Sequence, residues 1–521
     1  MILDRAPNSQ DDFFWGVATS AYQSEGGMNA PGQPETNWAI LERKEKVQKL
    51  GTAADFWSRY EEDFANCRGL GFNAFRLGIS WSRIQQAPPD FAPGDTPPPF
   101  NQAALEHYGK ILLACQNAGL EPILTLQHFT HPSWLGPDAW LDDKCPTLFN
   151  QFVAHSISFL NQYLLQRQGK VLRWFITINE PNMLVLNSYV GTQFPAGHLP
   201  GVTAPTQAFN NLLRAHILAY NSLHDLYEKN GWDPPMVTFN NYCSDLYWAD
   251  KFLLDIAVSR SRGITPDNIQ PYLYQKEKEF EAARKNANID IRRDIAWGIG
   301  SLFRTFASAL LSKKATPKSF LPALTELANA KRSTVMDYIG LDYYDPFMAH
   351  LFRFPQFKDH EFKSPSLRAL MLNAVTAKWW DWKVLPQGLH FFCKYYSQDF
   401  DNLQVLIAEN GMALRRTLDN KTSPRRDSMT RSNFLRLHIH EVTRIVNEGI
   451  PLIGYLHWSL FDNYEWGSYA PRFGLYSIDY AQSTDRLLHD HTGDSPSESY
   501  KKLILEARGK QKPVQIRYKS S

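Results

Sequence analysis

The 521-residue sequence predicts an α/β protein, a single (β/α)8 barrel with long insertions in its βα-loops. Three observations carry that reading. Eight short apolar runs are continuous rather than alternating, as strands buried on both faces are. Amphipathic helical patterns that close near glycines separate several of them. Alternating strand and helix implies parallel strands, and eight such units suggest a closed barrel.

The runs, in order, are "FFWGVAT" (13–19), "AFRLGIS" (74–80), "PILTLQH" (122–128) and "RWFITIN" (173–179), then "MVTFNNY" (236–242), "YIGLDYY" (338–344), "QVLIAEN" (404–410) and "LIGYLHWS" (452–459). Helical patterns at 101–119, 147–169, 206–231 and 431–449 precede the third, fourth, fifth and eighth runs. The connections after the fifth and sixth runs, about 95 and about 60 residues, exceed a simple crossover and must carry extra helices or loops. Residues 349–382 are a candidate rim loop. No internal repeat is evident, so the whole chain, 1–521, reads as one catalytic domain. Its core spans about 11–507, and the short basic tail 508–521 is expected to fray.

Composition narrows the function. A net charge of +2 gives no electrostatic case for nucleic acid or an acidic membrane. Five widely spaced cysteines suggest reduced core thiols rather than a disulfide framework or zinc site. "LHDHTGD" (488–494) has no standard metal-ligand spacing and reads as a surface loop. No apolar run is long enough to span a bilayer, and no signal-peptide pattern opens the chain, so a cytoplasmic protein is expected. Aromatics reach 13%, with many beside polar residues, which suits stacking on sugar faces.

The polar residues fall at the predicted C-terminal strand ends: Arg76, Gln127, His128, Asn179, Glu180, Asp342, Tyr343, Tyr344, Glu409, Asn410, His457 and Trp458. In such a barrel these ends share one pocket. Singly, each is more simply a structural residue; together they are not needed for packing. Glu180 and Glu409 would thus face each other, and two carboxyls across a pocket are what acetal cleavage needs, one protonated and one ionised. Pro181 is expected to hold Glu180 extended.

These residues carry a resemblance. "TINEPN" (177–182) is similar to the acid/base motif, and "IAENG" (407–411) to the nucleophile motif, of glycoside hydrolase family 1 β-glycosidases. Flanking motifs from "FFWGVATSAYQSEGG" to "RFGLYSIDY" extend the match over nearly the whole chain. The resemblance implies a retaining exo-β-glycosidase, foremost a β-glucosidase, with no cofactor or metal, a small-molecule β-glycoside substrate, and a monomer or homo-oligomer. It implies Glu180 as acid/base and Glu409 as nucleophile. Arg76 and Tyr344 would support Glu409, and Asn179 would contact the sugar 2-hydroxyl. Gln23, His128, Trp458, Glu465, Trp466 and Phe473 would bind the glycone, and Trp382 the leaving group. Three departures stand out: Phe129 where a tryptophan is usual, Asp342 where asparagine is, and Ala408 where threonine is. Asp342 is expected to raise the nucleophile's pKa unless a donor pairs it. β-Galactoside or β-fucoside breadth and a 6-phospho-β-glycosidase are the alternatives. A non-catalytic sugar-binding member or a myrosinase-like enzyme would have lost a glutamate that this chain keeps.

Overall fold

The computed structural model describes residues 12–518, except 89, 93–95, 192, 198–202, 292, 294, 315, 351–378 and 417–420. Most of the candidate rim loop therefore lies outside the described residues. The eight expected strands are present: β1 (Phe14–Ala18), β2 (Ala74–Gly78), β3 (Glu121–Thr125), β4 (Trp174–Asn179), β5 (Met236–Tyr242), β6 (Ile339–Tyr343), β7 (Val405–Asn410) and β8 (Leu452–Trp458). They pair in parallel in chain order, and β1 joins β8 to close the barrel.

The four helical patterns form helices at Gln102–Asn117, Cys145–Leu165, Ala204–Asn230 and Arg431–Asn447. Asn101 and Thr430 start two of them by accepting from Ala104 N at 3.1 Å and Asn433 N at 3.1 Å, satisfying otherwise orphaned amides. Gly231 ends the third in the left-handed region, which glycine enters without a Cβ clash. Further crossovers, Phe56–Gly69 and Pro386–Asp399, lie outside the four patterns. The long connection after β5 holds helices Lys251–Ser259, Ile269–Asn286, Ile295–Lys314 and Leu321–Asn329.

Two apolar layers hold the barrel. One, between strands and outer helices, includes Trp15, Phe75, Leu124, Phe175, Val237 and Ile407; the other fills the barrel with Phe14, Trp174, Ile176, Met236, Tyr338, Leu406 and Leu456. This alternation corrects the expectation that every strand-end polar residue enters the pocket. Successive side chains on a strand point to opposite faces. Tyr343 therefore donates to Leu385 O, outside the barrel. Asn410 donates to Tyr343 O at 2.6 Å and accepts from Tyr455 OH at 2.7 Å. His457 lies against Phe473 O and the Tyr500 ring of the last helix, Pro496–Lys510.

The tail does not fray as far as it is described. Asp12 N donates to Val514 O at 3.0 Å, Arg517 N donates to Gln404 Oε1 at 2.5 Å, and Gln404 Nε2 returns a bond to Arg517 O at 2.7 Å. Ile516 packs into the interior cluster with Phe14 and Trp174, and the Arg173 guanidinium lies over the Tyr518 ring at 3.9 Å. Two apolar side chains, Val514 and Ile516, and the Tyr518 ring anchor it, and the basic side chains masked that signal.

Candidate active site

Glu409 and Glu180 emerge at the C-terminal ends of β7 and β4, both buried. Arg76 on β2 donates to Glu409 Oε1 at 2.7 Å, and Tyr344, just past β6, donates to Oε2 at 2.9 Å. Arg76 is itself aimed by three further acceptors: Thr125 Oγ1 at 2.9 Å, Ala408 O at 3.2 Å and Asn179 Oδ1 at 2.5 Å. So fastened, the guanidinium has little freedom to leave the carboxylate.

Glu180 differs in backbone and in partners. Its φ of 40° and ψ of 64° are left-handed, not the extended geometry expected before Pro181. The proline disfavours the right-handed helical region, and Glu180 leaves it for the left-handed side. Glu180 N donates to Asn240 O at 3.0 Å and Glu180 O accepts from Leu184 N at 3.0 Å, so strand and helix overdetermine the strained residue. Among the described residues no N–H donor reaches the Glu180 carboxyl.

Asp342 on β6 is the third acid. One carboxyl oxygen from each of Glu180, Asp342 and Glu409 lies within 4.8 Å of the others. Burial raises all three pKa values. Glu180 is pushed well above the usual carboxyl range, foremost by burial and then by the charges of Asp342 and Glu409. Burial also raises Glu409, while Arg76 and Tyr344 pull it back down. Asn240 on β5 is the donor that pairs Asp342; Arg76 Nη1 stands 3.7 Å away.

The expected sugar contacts converge beside these acids. Gln23 Nε2 donates to Glu465 Oε2 at 3.0 Å, and Trp458 Nε1 donates to Glu465 Oε1 at 2.8 Å. His128 is stacked between Trp458 and Trp466, at 5.8 Å and 5.7 Å, and its Nε2 lies 3.2 Å from Asn179 Nδ2. Burial and the Arg76 charge lower its pKa, so the ring is neutral. Phe129 sets its edge on Trp466 at 4.9 Å. Phe473 and half-buried Trp382 flank Tyr344, at 6.1 Å and 5.2 Å. Burial pushes Glu465 up to about 8.

Three site residues, Asn240, Asn463 and Tyr242, escaped the sequence reading. Asn240 donates to Asn179 Oδ1 at 2.9 Å as well as to Asp342, and Asn463 accepts from Gln23 Nε2 at 3.2 Å. Polar pairs inside "TFNNY" and "FDNYEW" were the available signal. Tyr242, at the end of β5, stacks on Tyr344 at 5.8 Å and meets Trp382 edge-on at 6.2 Å, completing an aromatic wall.

The sequence profile described as Glycosyl hydrolase family 1 matches residues 7–240 and 260–495. The chain belongs to that family. Within it, the chain is 25% identical to Beta-glucosidase A of Thermotoga maritima, over 90% of this chain and 93% of that one. It is 26% identical to 6-phospho-beta-galactosidase 1 of Streptococcus pneumoniae, covering 90% and 93%, and 27% identical to human Cytosolic beta-glucosidase, covering 90% and 92%. The fold is similar to that of the family 1 β-glucosidase from Thermotoga maritima solved with isofagomine lactam: TM-score 0.64, 21% identity, 95% of this chain and 98% of that one. These family 1 relatives are enzymes, and the chain is a glycoside hydrolase. Among the described residues no helix is long and apolar enough to cross a membrane.

Proposed function

We infer that this family 1 member is a single-domain, retaining exo-β-glycosidase, foremost a β-glucosidase that removes terminal β-glucosyl residues from oligosaccharides or aryl and alkyl glycosides. The observation that carries it is the unequal environment of two neighbouring carboxyls. Glu409 holds a guanidinium and a phenol, which favour its ionised form. Among the described residues Glu180 has no such donors, and burial beside Asp342 and Glu409 raises its pKa well above the usual carboxyl range, which favours its protonated form.

Glu409 then attacks the anomeric carbon while Glu180 passes its proton to the departing glycosidic oxygen. The resulting ester is hydrolysed by a water whose proton returns to Glu180. The close approach of the carboxyls suits direct attack; the inverting route needs about 6.5–9.5 Å to seat a water between them. Asn179, anchored on Arg76, would contact the 2-hydroxyl; Gln23 would bridge two hydroxyls, Glu465 and Trp466 would hold the far ones, and Trp458 would form the platform under the ring. The aromatic wall of Tyr242, Tyr344 and Trp382 receives the aglycone. Five buried free thiols suit a reducing compartment, so we place the enzyme in the cytoplasm.

The test compares hydrolysis of an aryl β-glucoside with its α-anomer, its β-galactoside and its 6-phosphate. The β-glucoside should be the best substrate and the α-anomer inert. Hydrolysis of the 6-phosphate alone would overturn the reading. The 6-phospho reading has a specific relative in its favour, but the glycone contacts Glu465 and Phe473 are a buried carboxyl and an apolar ring, neither of which pairs a phosphate dianion.

A further inference from the structure

Three buried carboxyls surround one guanidinium, and they cannot all ionise. Arg76 is committed to Glu409 at 2.7 Å, so it neutralises that charge first. Asp342 is wholly buried; Asn240 donates to its Oδ2, while Oδ1 receives no N–H from the described residues and stands 3.7 Å from Arg76. A buried carboxylate oxygen without a donor is costly. Glu180, with no N–H donor of its own among the described residues, is the neighbour able to supply one.

We propose that Asp342 is a positioning residue of the catalytic centre that accepts the O–H of Glu180, so that the two carboxyls hold one proton between them. The proposal rests on the reading of Glu180 as acid/base. The β6–β7 pairing sets Asp342 opposite Glu409, next to a ladder irregularity between Leu341 and Asp342. In the free enzyme Asp342 and Glu409 are ionised and Glu180 is protonated. During glycosylation the Glu180 proton leaves on the aglycone as the C–O bond breaks, and the Glu409 charge is consumed in the new ester bond. The cluster's net charge is therefore unchanged, and Arg76 is freed to balance Asp342. The ionised Asp342 keeps Glu180 strongly basic, as it must be to take the proton of the incoming water.

The groups facing Asp342 are Arg76 from β2, Glu180 from β4, Cys243 next to β5, Tyr344 after β6 and Glu409 from β7. Burial holds Cys243 and Tyr344 protonated well beyond their ordinary ranges. Only the carboxyls change charge near neutrality.

The experiment is the pH profile of kcat/KM for Asp342→Asn on an aryl β-glucoside. Removing the charge should move the alkaline limb, which reports Glu180, down by about one pH unit or more, leaving the acid limb of Glu409 nearly in place. An unmoved alkaline limb, or movement of the acid limb alone, overturns the proposal. Should the variant fail to fold, a carboxyl 13C titration of the unaltered enzyme decides. Glu180 and Asp342 should respond over one shared pH interval; independent steps overturn the proposal. Glu180→Ala serves as the control. Undiminished activity on poor leaving groups would sink the acid/base reading itself, whereas the expected loss there with an unmoved Asp342→Asn limb sinks only the shared proton.

Discussion

The guanidinium of Arg76 on β2 donates to the carboxylate of Glu409 on β7 at 2.7 Å, with both side chains removed from water. One contact across the barrel thus serves both the proposed chemistry and the fold.

Replacing Arg76 by Met should leave Glu409 buried without its cation. The acid limb of kcat/KM should rise, because the carboxylate loses the charge that lowers its pKa. Stability at pH 7 should fall by about 3–5 kcal/mol, and by less at pH 5, where Glu409 can take a proton instead. Denaturant unfolding at the two pH values checks it; equal losses would contradict the charge argument.

Glu409→Ala should abolish turnover, and azide should restore it as the α-glycosyl azide, entering from the face the carboxylate vacated. Glu180→Ala should still react with activated leaving groups and give the β-azide. Anomeric assignment of the products by NMR checks both, and the opposite anomers would exchange the two roles.

Glu465 ties stability to pH. Its folded pKa, about 8, lies above the ordinary value of 4.5. The folded state therefore binds this proton more tightly, and stability present below pH 4.5 is lost as pH rises toward 8. Glu465→Gln should flatten that decline, by up to about 1.4 kcal/mol per pH unit across the interval. Parallel melting curves for the two proteins at every pH would count against it.

Ile516 packs in the interior cluster with Phe14 and Trp174, which start β1 and β4 at the N-terminal end of the barrel. Ile516→Ala should cost about 2 kcal/mol in unfolding experiments, with KM nearly unchanged because the site lies at the opposite end. A tail that contributes nothing would leave the melting temperature where it was.

The aromatic wall makes a separate claim. Trp382→Ala should raise KM for aryl glucosides several-fold more than for methyl β-glucoside, since only an aryl aglycone can stack there. Equal effects on both substrates would place the aglycone elsewhere.

Local sequence was enough to read the barrel, because each strand is a short continuous apolar run and four of the crossovers carry a legible helical period. It was also enough to bring Glu180 and Glu409 to one rim, since parallel strands present all their C-terminal ends together. Which strand-end side chains turn inward was settled by the pleat and by ladder irregularities beside Asn179, Asp342 and Glu409. His457 and Asn410 read like pocket residues and lie outside; Asn240 read like strand and lies inside. The left-handed turn at Glu180, the seat of Ile516 and the crowding of three acids around Arg76 depend on atoms far apart in the chain. Only the closed barrel brings those atoms within hydrogen-bond range, and burial there gives Asp342, one atom different from asparagine, its weight.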